Sequence, residues 1–288
     1  MEIHVAAIDN VTCWAFRKLC VGATDSYTGV ISMGNLVARN NAWKEVDTFA
    51  IDGQRQWIQV ATSKEKECAD FILRFGEHLK SNPEKDNVYG VQINASCPSP
   101  NLIKVGQGPA LIKRASKVSS LIRELLKQDK FKVGIKVRLG LNAAEVEQRK
   151  LSHLFSQIEA IGDPNLSRVT VHFKHAGQRS AEPYDYSILR ELVSYKLPIV
   201  LNGGIRTASD VKRIIKDVDT INIAGVMAAR AAMEDPNCFA RMSNELNGTS
   251  LKERTMAELK TEFDALCCKH EPKPLHLETI KRYCRWAR

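Results

Sequence analysis

The sequence predicts an α/β fold, a (β/α)8 TIM barrel with a short C-terminal helical extension. Short β-rich runs alternate with stretches of helical periodicity over residues 1–225, the pattern of a parallel sheet wrapped in helices. Roughly eight such units can be counted, the number that closes a barrel. The chain of 288 residues holds one barrel and a small appendix.

The expected strands are Ile3–Ile8, Thr28–Ser32, Gln56–Ala61, Tyr89–Asn94, Lys132–Arg138, Arg168–Phe173, Leu197–Asn202 and Asp219–Ala224. VGIKV, VTVHF and PIVLN are nearly continuous apolar runs, as strands covered on both faces should be. Helices are expected at Ser63–Lys80, Pro109–Lys127, Ala143–Ile161 and Ala208–Lys216. Polar or small residues follow most strands: Asp9 and Asn10, Asn94, Arg138, His172, the run Asn202-Gly203-Gly204, and Gly225 after the eighth. In a barrel these positions share the C-terminal mouth, where active sites are built.

The barrel is expected to occupy 1–242. SNELNGTS then marks a boundary, and 249–288 form a basic tail with helices near Leu251–Lys269 and Leu277–Trp286, parted by HEPKP because prolines break a helix. KRYCRWAR mixes cations with Tyr283 and Trp286, which suits either aromatics docked on the barrel or RNA contact by stacking.

A net charge of +9 favours a polyanionic partner but also occurs in basic enzymes without one. No apolar run approaches bilayer length, and the N-terminus has no leader pattern, so an intracellular, cytoplasmic location is expected, with no membrane partner. The eight cysteines show neither C-x-x-C nor zinc spacing, so no metal site is expected and most thiols should be buried.

Four segments carry candidate chemistry. VQINASCPSPNLIKVGQGPAL at 91–111 runs from a strand end into a loop, with Cys97 stiffened by Pro98, as an aimed thiol or a structural one. In KVGIKVRLG, Lys136 and Arg138 alternate with aliphatics, so both cations share one side of the strand. Buried there, they require an anionic or electron-rich partner. LNGGIRTASD and INIAGVMAARAAMEDP each pass from strand to small residues to a helix start, two successive candidate phosphate cradles. In VTVHFKHAGQRSAEPYDY, His172, Lys174, His175 and Arg179 cluster as anion-binding or nucleic-acid-binding cations.

In this order the segments resemble the tRNA-dihydrouridine synthase family over most of 1–242. VAAIDNVTCWAFRKLC looks like the family's opening, INASCPSP its N-x-G-C-P loop, GIKVRLG its K-x-R-x-G strand, VHFK its H-G-R element, NGGI its N-G-D-I turn and GVMAARAAMEDP its closing motif. The resemblance implies FMN held by the Ala6 and Ala7 backbone, Gln59, Lys136, His172, the turn Asn202-Gly203-Gly204, Ala229 and Arg230. It implies a uracil near Asn94 and Arg138, with Lys174 and Arg179 on the tRNA, and Cys97 as the acid that protonates C5 while hydride reaches C6. NADPH or NADH is the implied electron donor. Ala7-Ile8 stands where the family has Pro-Met, Ser96 where it has glycine, and Phe173-Lys174 where it has Gly-Arg.

INASCPSP also resembles the N-x-S-C-P-N loop of dihydroorotate-dehydrogenase-like FMN barrels, in which the thiol would be structural. A catalytically inactive tRNA-binding barrel is a further alternative. A monomer is favoured, and the modified uridine position is left open.

Overall fold

The computed structural model describes residues 1–288. Eight parallel strands close in sequence order: β1 Glu2–Val5, β2 Asp25–Ser32, β3 Arg55–Ala61, β4 Val88–Ala95, β5 Lys132–Arg138, β6 Leu166–His172, β7 Ile199–Asn202 and β8 Ile223–Ala228, with β8 pairing back to β1. The expected TIM barrel is therefore present. Its wall is aliphatic on the helix side, where Ile3, Val91, Ile135, Val169 and Leu201 are all fully buried in one continuous core. No helix is long and apolar enough to cross a membrane.

Several expected boundaries move. The eighth strand starts four residues later than Asp219, because the Asp219 carboxylate accepts the Ile221 N–H at 3.0 Å and Ile223 donates to the Thr220 carbonyl, which makes a turn of that segment. Gly225 consequently lies inside β8 rather than beyond it, where an added Cβ would meet the Glu2 carbonyl oxygen at 2.5 Å. β1 ends at Val5 because the Ile8 carbonyl already receives the N–H groups of Val11 and Thr12 in a turn. β2 begins at Asp25, three residues before the expected Thr28, and its register against β3 shifts between Tyr27 and Val30, which hid its apolar alternation.

The helices also subdivide. Pro109–Lys127 becomes a 3-10 turn, Gly108–Leu111, and a helix, Ala115–Leu125. Ala143–Ile161 becomes Ala143–Glu147 and Lys150–Glu159, broken by the left-handed Arg149 (φ 54°). The tail helices are Met256–Lys269 and Pro274–Tyr283, followed by a short 3-10 turn, Arg285–Ala287. Both pack on the barrel's flank: Trp286 is buried beside Phe16 and Phe263, so it docks, while Tyr283 stays 55% exposed. His270 stacks on Phe49 and meets the edge of Trp14.

The strand starts build a charged floor. Arg168 Nη1 binds Glu2 at 2.8 Å and Asp25 at 3.1 Å, Arg55 pairs with the same two carboxylates, and Trp57 donates to Asp25 at 2.8 Å. The guanidinium of Arg168 lies 4.7 Å from the Trp57 ring centre. Gly90 makes room for that ring, since a Cβ there would fall 2.3 Å from it. Burial would raise the Glu2 carboxyl, but the bond to His4 and the charge of Arg168 outweigh it and hold it at about 2.

Candidate active site at the barrel mouth

At the opposite end the strand termini surround a cavity of about 590 Å³. Its lining includes Ala7, Gln59, Asn94, Cys97, Lys136, Arg138, His172, Lys174, Arg179, Asn202, Gly203, Gly204, Ala229 and Arg230. Among the expected site residues two lie off the lining: His175, and Ala6, which is fully buried against Tyr27, Trp57, Val200 and Met227 in the barrel interior.

β5 places Lys136 and Arg138 on the cavity side, as its period of two requires. Lys136 is 8% exposed, and no carboxylate lies within ion-pair distance. Burial and the neighbouring Arg138 charge push its ammonium down to about 8. Arg138 donates to the Ser96 carbonyl at 2.6 Å and thereby ties β5 to the Cys97 loop. His172, at the end of β6, is held neutral by burial and by Arg138, Lys136, Lys174 and Arg230, which lower it to about 2. Its Nδ1 is buried without a hydrogen-bond partner. A buried polar atom without a partner is a place for a ligand atom.

The Cys97 loop is held by the backbone. Asn94 Oδ1 accepts the N–H groups of Ser96 at 3.1 Å and Cys97 at 2.8 Å, and left-handed Gly108 packs so closely that a Cβ would reach the Cys97 carbonyl oxygen at 2.6 Å. Cys97 is half-buried and free. By contrast, burial pushes the structural thiols Cys13 and Cys238 up to about 12, where they stay protonated.

After β7, Gly203 (φ 116°) and Gly204 (φ 64°) form a turn beneath the Tyr184 ring, which a Cβ on either would strike. Tyr186 donates to the Gly203 carbonyl at 2.5 Å. The N–H groups of Gly203, Gly204 and Ile205 find no acceptor in the chain. The helix Ala208–Ile214 that follows starts off the cavity lining, and its Asp210 carboxylate sits at its N-terminus, where it receives the N–H groups of Arg206 and Thr207. The cavity's candidate anion donors are therefore the glycine turn and the Ala229–Ala231 segment after β8.

Lys174 differs from expectation in how its charge is used. Its ammonium donates to the carbonyls of Arg179 and Ser180 at 2.9 Å each and sits over Tyr184. It thus fixes the 174–186 loop, while the Arg179 side chain makes no bond within the chain. Arg230 reaches the same loop at Ser180 Oγ (2.7 Å) and Tyr184 OH (2.8 Å). Sequence reasoning missed Tyr184, Tyr186, Gln178 and Ser180; the tyrosines two apart after a cation cluster were the available signal. A second cleft of about 780 Å³ shares Asp9 and Val30 with the first and is walled by Lys44, Lys85, Lys269 and Lys273 together with Glu45, Asp47 and Glu271, Lys273 pairing with Glu45 at 2.8 Å.

A family model described as dihydrouridine synthase matches residues 4–283. The tRNA-dihydrouridine(20) synthase [NAD(P)+] of Schizosaccharomyces pombe is 27% identical over 160 residues, 54% of this chain and 32% of that protein. The probable tRNA-dihydrouridine synthase of Aquifex aeolicus is 25% identical over 260 residues, 88% of this chain and 76% of that protein. The chain thus spans about a third of the yeast relative and three quarters of the bacterial one. Among solved structures, a chitinase from Pseudoalteromonas aurantia superposes with a TM-score of 0.50 at 10% identity, covering 85% of this chain and 99% of that one. At that identity the likeness concerns the barrel alone.

Proposed function

This chain belongs to the dihydrouridine synthase family, and we propose that it reduces the C5=C6 bond of uridines in tRNA with FMN as cofactor and NADPH or NADH as electron donor. The observation that carries the reading is the mouth itself: a thiol, the unpaired buried ammonium of Lys136, an orphaned imidazole nitrogen and a glycine turn with free N–H groups around one cavity. The names of the relatives support the substrate and the nicotinamide donor.

The residues fit a flavin mononucleotide. The turn Gly203–Ile205, with Arg230, offers donors to a phosphate, and Lys136, His172 and Gln59 offer cationic or polar atoms to a heteroaromatic ring. When bound, that cofactor supplies the hydride. The protein's part is orientation and a proton. Asn94 lines the cavity with one amide hydrogen uncommitted, a donor for a uracil carbonyl, and Arg138 stands beside it. Reduction at C6 leaves carbanion character at C5, and its protonation is assigned here to the Cys97 thiol, which lines the same cavity.

The uracil must leave its stack to enter a cavity of this kind. In the adjoining cleft Lys44, Lys85 and Lys269 offer ammonium groups to the flanking backbone, and Tyr283 with Arg282 gives an exposed basic surface. A tRNA substrate supports the expectation of work in the cytoplasm.

The test is the visible spectrum of the purified protein followed by nucleoside mass spectrometry of tRNA lacking dihydrouridine, incubated with protein and NADPH. A yellow protein that adds two mass units to uridine is the expected result. A yellow protein with no RNA product would favour a small-molecule flavin enzyme, and a colourless protein that binds tRNA would favour an inactive barrel.

A further inference from the structure

Four side chains run in single file from inside the barrel to the Cys97 loop. Gln92 Nε2 donates to Thr170 Oγ1 at 3.2 Å, Gln59 Nε2 donates to Gln92 Oε1 at 2.6 Å, and Asn94 Nδ2 donates to Gln59 Oε1 at 2.7 Å. Asn94 Oδ1 then accepts the backbone N–H groups of Ser96 and Cys97. The direction of this file is forced from one end. Backbone N–H groups only donate, so Asn94 must turn oxygen to the loop and nitrogen to Gln59. Gln59 must then turn oxygen to Asn94 and nitrogen inward, and that nitrogen needs an acceptor. Gln92 Oε1 is the acceptor, and Thr170, whose hydroxyl can donate or accept, closes the file without constraining it.

Each amide nitrogen carries two hydrogens and the file uses one. Gln59 and Asn94 both line the cavity, so each retains an N–H for a ligand there. Gln92 is fully buried and does not line the cavity. We propose that Gln92 is a positioning residue: it fixes the Gln59 carboxamide so that the mouth offers N–H donors to the carbonyl-rich rings of flavin and uracil. The ligand half of this statement rests on the function proposed above; the direction of the file does not.

The experiment uses the full chain with Gln92→Leu, Gln92→Glu, Gln59→Leu and the Gln92→Leu/Gln59→Leu double variant. Two quantities are read: melting temperature without ligand, and FMN affinity from quenching of flavin fluorescence. Q92L should bind FMN about tenfold more weakly, the loss of one oriented hydrogen bond. Q92E should return to within about threefold of the parent, because its carboxylate accepts from Gln59 while Thr170 donates to it. In the melting cycle the double variant should fall within about 1 °C of the lower single variant, since both remove the same bond.

Additive melting losses, or a Q92E no better than Q92L, would overturn the proposal by showing that Gln92 only fills space. If the parent protein takes up no FMN, the proposed function fails, and the ligand-free melting cycle still decides whether Gln92 orients Gln59.

Discussion

At the floor of the barrel Arg168 and Arg55 each meet both Glu2 and Asp25, whereas at the mouth Lys136, Arg138, Arg179 and Arg230 meet no carboxylate at ion-pair distance. The same strands supply both ends: β6 begins near Arg168 and ends at His172, and β5 carries Gly134 below Lys136 and Arg138. Buried charge of either kind is costly unless compensated. At the floor the compensation is internal, so those residues are structure. At the mouth it is missing for the buried Lys136, so the protein carries a cost that an anionic, electron-rich ligand relieves. Buried cations become informative about function when they are left without partners.

The contrast can be broken by removing one cation from each end. Arg168→Met leaves Glu2 and Asp25 to share Arg55 alone and should cost about 3 kcal/mol, a melting loss on the order of 10 °C. Lys136→Met removes an uncompensated cation and should leave the ligand-free melting point unchanged or raised, while weakening FMN binding. Equal losses from both variants, measured by calorimetry without ligand, would erase the distinction between the ends. The floor also has an acid limit. Glu2 is held at about 2 and Asp25 is lowered, so their contribution is complete above the ordinary carboxylate range and is lost as pH falls from about 4 toward 2. R168M should shift acid unfolding to higher pH.

Within the mouth, chemistry and binding should separate at Cys97. Cys97→Ala removes the proposed acid and nothing that holds the loop, since Asn94 bonds to backbone N–H groups. Turnover of tRNA should fall by about 10²–10⁴, with FMN affinity within twofold of the parent. Undiminished turnover would return Cys97 to a structural role.

The mouth was far more legible in the sequence than the floor, for a physical reason. Mouth residues follow apolar runs, so Asn94, Arg138, His172 and the Gly203-Gly204 pair stand out where a buried strand ends. Glu2, His4, Asp25, Arg55 and Arg168 come from four different strands and meet only once the barrel closes; each alone looks like the polar start of a strand. The bulged β2 and the late start of β8 were obscured in the same way, by neighbours the sequence does not display. Gln92 was read only as part of the expected strand Tyr89–Asn94, because its value depends on Gln59 and Thr170 across the barrel.

The smallest expected effect gives the most direct test of an unpaired mouth. In the ligand-free protein Lys136 titrates at about 8, lowered by burial and Arg138, against about 10.5 unfolded. Between pH 8 and 10.5 the unfolded chain therefore binds more protons at this site, and the folded state gains stability from it as pH rises. That gain is read as the melting difference between the parent and Lys136→Met across the range. Ligand affinity should move the other way. From pH 7 to 9 the charged fraction falls from about nine tenths to about one tenth, so a ligand that needs the ammonium binds roughly tenfold more weakly. Lys136→Arg, which cannot lose its charge in this range, should flatten the affinity profile even where its geometry lowers the affinity itself. A profile equally steep in K136R would place the titrating group elsewhere in the mouth and remove Lys136 from contact with the ligand.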